Sequence, residues 1–75
     1  MNQYENLDGL IVERLKRNGA ETFAELSSGS IHAECDVIAK TQVRGEAFRV
    51  LDRRLQALRK RGVIIFDRAV GWRVI

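Results

Sequence analysis

The stretch from Glu46 to Gly62, EAFRVLDRRLQALRKRG, limits what this chain can become more than any other. Phe48, Leu51, Leu55 and Leu58 recur three or four residues apart, the spacing of one helix face. Arg49, Arg53, Gln56 and Lys60 fall on the opposite side of the same helix. One face therefore requires a core, and the other offers three cations and an amide to something outside. Gly62 ends the predicted helix, which spans residues 46–61. Two β-prone runs follow, Val63–Phe66 and Trp72–Ile75, joined by Asp67-Arg68-Ala69-Val70-Gly71. Residues 63–75 thus read as a hairpin fed directly by a basic helix.

A helix and a hairpin cannot bury their apolar faces alone, so the first 45 residues must supply the rest of the core. Leu7, Leu10, Ile11 and Leu15 make one face of a first helix. Asn6 is placed to cap it, Asp8 and Lys16-Arg17 suit its two ends, and Gly19 stops it. Thr22 and Glu25 form a Thr-x-x-Glu capping box that opens a short helix with Phe23 and Leu26. Glu21-Thr22 can alternatively add a rung to the edge of a small sheet. Ser27-Ser28-Gly29-Ser30 breaks the chain. Ser30 then caps a helix over Ile31–Thr41 with Ile31, Cys35, Ile38 and Ala39 inward, and Gln42 to Gly45 turns into the basic helix.

At 75 residues this is one domain, 1–75, near the small end of what folds unaided. Its single cysteine, Cys35, provides no disulfide and fits a reducing compartment. No apolar run reaches the ~20 residues of a membrane span, and MNQYENLDG lacks a signal-peptide pattern, so a cytoplasmic protein with no membrane partner is expected. The overall charge of +3 conceals a polarity. Residues 1–39 hold Arg14, Lys16 and Arg17 against seven carboxylates, a net −4. Residues 40–75 hold ten cations against Glu46, Asp52 and Asp67, a net +7. A basic C-terminal half points to an anionic partner.

The run Val50 to Ile64, in which an amphipathic basic helix closes on Gly62 and leads into two aliphatic residues, resembles the end of the recognition helix and the start of the wing in winged helix-turn-helix DNA-binding domains. Phe23-Ala24-Glu25-Leu26 looks like the start of that family's second helix, and Gly71-Trp72-Arg73-Val74 like its returning wing strand. The resemblance covers residues 6–75. It implies a mostly helical α+β fold, three or four helices followed by a C-terminal β-hairpin wing. One departure stands out: about seventeen residues, Gly29 to Gly45, separate Leu26 from the basic helix, so either Ile31–Thr41 is the true second helix or an insertion lengthens the turn.

The resemblance also implies a role. A recognition helix lies in the major groove with its N-terminal residues at base edges. Carried onto this chain, Arg44, Glu46, Arg49 and Arg53 become base-reading candidates. The arginine fork can donate to guanine O6 and N7 together, and Gln56 could read adenine by the same two-bond logic. Lys40, Thr41 and Gln42 are phosphate candidates, Lys60 is a further DNA-contact candidate on the helix face of Arg49 and Arg53, and Arg68 and Arg73 are wing contacts. The expected partner is double-stranded DNA and the expected role a small transcriptional regulator; a homodimer reading two half-sites is compatible with this. The alternative is a protein-interaction module on the same scaffold, with a protein partner and no DNA.

Other chemistry is weakly supported. His32 and Cys35 are three apart but find no second histidine or cysteine to complete a zinc site, so neither a metal nor a cofactor is expected. The six glycines are scattered and build no phosphate loop, and Glu34 and Asp36 are two apart on a helix and do not face each other. No catalytic group is assigned. Trp72 reads as packing for the wing, beside Phe66 and Leu58.

Overall fold

The computed structural model describes residues 4–41 and 45–75. Four helices, α1 (Glu5–Asn18), α2 (Phe23–Leu26), α3 (Gly29–Ala39) and α4 (Ala47–Lys60), precede an antiparallel hairpin of β1 (Ile64–Asp67) and β2 (Gly71–Val74). This is the mostly helical α+β arrangement of a helix-turn-helix with a wing.

Helix α1 places Leu7, Ile11 and Leu15 in the core at four-residue spacing, with Leu10 packed against its edge. It begins earlier than the sequence suggests. Tyr4 occupies the cap position and Asn6 is helical, so Asn6 caps nothing; the acidic first turn, Glu5 and Asp8, meets the positive helix end instead. Gly19, at φ 86°, closes the helix by donating to Leu15 O. The capping box of α2 forms in both directions: Thr22 Oγ1 accepts from Glu25 N at 3.2 Å, and Glu25 Oε1 accepts from Thr22 N at 2.8 Å. That pairing lowers the Glu25 carboxyl pKa, first through the backbone N–H of Thr22 and then through its hydroxyl.

The Gly29–Gly45 interval contains a helix, which resolves the two alternatives in favour of Ile31–Thr41 as the supporting element. Its bounds move by two residues at each end. Ser28, not Ser30, holds the cap position, and the helix ends at Ala39 with Lys40 as its C-cap. Ile31, Cys35, Ile38 and Ala39 are buried as the spacing implied. Gly45 is pressed against the end of this helix, where a β-carbon would lie 2.0 Å from Ala39 O; no other residue fits there without a backbone shift.

Helix α4 ends in a Schellman arrangement: Gly62 N donates to Arg59 O, Val63 N donates to Leu58 O, and Gly62 has φ 76°. The predicted connection Asp67–Gly71 shortens to Arg68-Ala69-Val70, because Asp67 pairs with Gly71 inside the ladder. Asp67 Oδ1 accepts from Ala69 N and fixes the turn. Trp72 is buried and packs edge-on against Phe66, ring centroids 5.1 Å apart. The sheet option for Glu21 and the helix option for Phe23–Leu26 both hold. Glu21 and Trp72 exchange two backbone hydrogen bonds of 3.0 and 2.8 Å, adding one antiparallel rung to the outer side of β2.

One core assignment fails. Phe48 is 54% exposed, while Val50 is buried beside Leu51, Leu55 and Leu58. On the helix wheel the buried face is turned by roughly 40° from the Phe48–Leu51–Leu55–Leu58 stripe. On the same turned face Asp8 of α1 accepts two hydrogen bonds from Arg54, from Nε at 3.0 Å and from a terminal nitrogen at 2.8 Å, so the Val50–Arg54 side of α4 faces inward.

Candidate nucleic-acid interface

The turned helix decides which cations are scaffold and which are surface. Arg54 is a scaffold group. Its guanidinium forks onto Asp8, lies 4.5 Å from the Tyr4 ring centroid, and is only 15% exposed. The Asp8 hydrogen bonds raise its pKa further, against the opposing effect of burial. Arg14 is a second scaffold cation that the sequence did not single out. It donates to Ser28 O, Ser28 Oγ and Glu25 O, holding the α2–α3 junction onto α1. Its Nε also sits 3.0 Å from Glu21 Oε1, an ionic contact without hydrogen-bond alignment. Asn18 donates to the other Glu21 oxygen. Two carboxylates of the acidic half, Asp8 and Glu21, thus serve internal arginines. Spacing alone carries no signal for either pair, since the Arg54–Asp8 partners are 46 residues apart and Glu21 lies beyond the end of the helix that holds Arg14.

The cations that remain outside form a row. Arg49, Arg53, Gln56 and Lys60 occupy positions i, i+4, i+7 and i+11 of α4, about 16 Å along its outer face. Together with Phe23, Phe48, Asp52 and Ala57 they line an open cleft of about 820 Å³ between α2 and α4. Among the described residues Arg53 and Lys60 have no ion-pair partner. Arg49 lies 3.9 Å from Glu46, the residue before the helix, and 5.9 Å from the Phe48 ring centroid. Glu46 thus reaches a cation of its own helix, which lessens its repulsion of an anionic ligand.

Of the remaining candidates, Lys40, Thr41, Arg68 and Arg73 belong to other parts of the chain than α4. Lys40 pairs with Asp36 at 3.1 Å across one turn of α3 and is exposed. Thr41 Oγ1 donates to Ile38 O at 2.6 Å. Gln42 and Arg44 lie outside the described residues. Arg68 is exposed in the hairpin turn, and Arg73 sits on β2 with Asp67 3.7 Å away. A second concavity, lined by Gln56, Arg59, Ile65, Phe66 and Trp72, joins the end of α4 to the wing. Gln56 borders both hollows, and its Oε1 accepts from Arg59 Nε.

The arrangement offers cationic donors over an outward helix face, with apolar side chains between them. It offers little nucleophilic chemistry. Cys35 is buried, and burial followed by the nearby Glu34 charge pushes its thiol up to about 11, so it remains protonated at neutral pH. No group of three or more potential metal ligands occurs among the described residues, and no helix there is long and apolar enough to cross a membrane. Comparisons with protein-family models, with curated proteins and with solved structures gave no match.

Proposed function

We propose that this domain binds double-stranded DNA as a small transcriptional regulator of the winged helix-turn-helix kind. In this reading α4 lies in the major groove and the 63–75 hairpin flanks it as the wing. One observation carries it: Arg49, Arg53, Gln56 and Lys60 share the outward face of α4, while Arg54 of the same helix is used internally. A 14-residue helix is about 21 Å long and narrow enough for the ~12 Å major groove. Arg49 and Arg53, in its first half, are the base-reading residues; Lys60, near its end, suits a phosphate. Arg68 at the wing turn suits a flanking phosphate or the minor groove, as do Arg73 and Lys40 once their exposed pairs with Asp67 and Asp36 exchange for phosphate.

Duplex affinity measured against salt concentration tests this. Binding should fall steeply as salt rises, and Lys60→Ala should reduce the log–log slope by about one. Arg53→Ala should weaken binding to a selected site by about 1–3 kcal/mol. Absence of duplex binding at low salt would remove the proposal. Retained partner binding in the Arg49→Ala, Arg53→Ala double variant would transfer the function to protein interaction.

A further inference from the structure

Phe48 is an anomaly that phosphate binding leaves unexplained. It is a phenylalanine in the first turn of an amphipathic helix, yet it is 54% exposed and contributes nothing to the buried core. Leaving a large apolar side chain in water forgoes the stabilisation that burial would give. Its surroundings are those of the proposed reading face. Phe48 lines the same cleft as Arg49 and Arg53, the Arg49 guanidinium is 5.9 Å from its ring centroid, and Phe23 of α2 faces the cleft from the other side. The first turn of a recognition helix meets base edges. In the major groove the only apolar mark on a base edge is the 5-methyl group of thymine.

We infer that Phe48 is a specificity-determining residue that reads thymine, its ring taking the 5-methyl group next to the base pairs addressed by Arg49 and Arg53. The inference rests on the DNA-binding reading and deepens it. The preferred duplex then carries a thymine beside guanine, and discrimination between thymine and uracil passes through this ring. Arg49 and Arg53 can address guanine, but an arginine fork does not register a methyl group; the apolar ring beside them is what reads the thymine of an A·T pair.

The test is a cycle between one protein group and one DNA methyl group. A duplex is first selected from a random library by the full chain, and each of its thymines is then replaced in turn by deoxyuridine, which removes only the methyl. At one position the replacement should weaken wild-type binding roughly fourfold, the effect of exposing one buried methyl. Phe48→Ala should bind the thymine and uracil duplexes equally, and Phe48→Leu should restore part of the difference. Unchanged thermal melting of both variants verifies that the fold persists, as expected for an exposed position. If uracil replacement is silent everywhere, or weakens Phe48→Ala as much as wild type, the thymine inference is overturned while DNA binding stands. If the library yields no bound duplex, both readings fall together.

Discussion

Arg53 and Arg54 are adjacent in the chain and chemically identical, and the fold gives them opposite tasks. Arg54 makes two charge-assisted hydrogen bonds to Asp8, with the two side chains 15% and 16% exposed. Removing one partner of a fully buried pair costs about 3–5 kcal/mol, because the other charge is stranded. Here about a sixth of each side chain meets water, so Asp8 can be partly rehydrated, and Arg54→Ala should cost about 2–3 kcal/mol. For a domain of this size that corresponds to a melting-temperature decrease of roughly 10–20 °C. Arg53 has no partner among the described residues, and Arg53→Ala should stay within about 0.5 kcal/mol of wild type. Urea unfolding of both variants followed by circular dichroism, with Asp8→Asn and the Asp8→Asn, Arg54→Ala double variant closing the cycle, measures each quantity. Duplex binding should show the reverse order, with Arg53→Ala impaired and Arg54→Ala intact at temperatures where it remains folded. Equal destabilisation by the two alanines, or a coupling between Asp8 and Arg54 near zero, would refute the inward and outward assignment of α4.

Two further perturbations probe the frame around the site. Gly71→Ala should destabilise by about 2 kcal/mol or more, since the residue has φ 102° and its new methyl would lie 2.5 Å from Glu21 O; scanning calorimetry should show the loss. Glu25 has a lowered folded-state pKa, so its contribution to stability is complete above the ordinary carboxylate range and disappears as pH falls through the lowered value; Glu25→Gln should flatten that acid-side portion of the stability–pH profile.

Local signals in the sequence located most of the fold. The Thr22–Glu25 capping box and the Gly19 and Gly62 stops each act over a few residues and appear where they were read, and the two β-prone runs form the hairpin with each strand shifted by one residue toward the turn. The rotation of α4 was not legible, because the inward pairing of Arg54 is with Asp8, 46 residues away, and because Phe48 and Val50 are both apolar and flank Leu51 on the helix wheel. The roles of Arg14 and Arg54 were hidden too: a charge count treats all thirteen basic residues alike, and only tertiary pairing separates those that hold the scaffold. The outward row Arg49, Arg53, Gln56 and Lys60 was legible because helical periodicity alone puts those residues together.

The single rung between Glu21 and Trp72 has a kinetic consequence. Its partners are 51 positions apart, so it closes a loop over most of the chain. Closing such a loop is entropically unfavourable before any hydrogen bond forms, and chains whose native contacts are distant fold more slowly than helical bundles of equal length. The helices can form early and locally, but β2 reaches its place beside the segment after α1 only when nearly the entire domain has been gathered. Ordering of the wing is thus coupled to completion of the core, and a partly folded chain would present its basic helix without the hairpin that gives the surface its second edge.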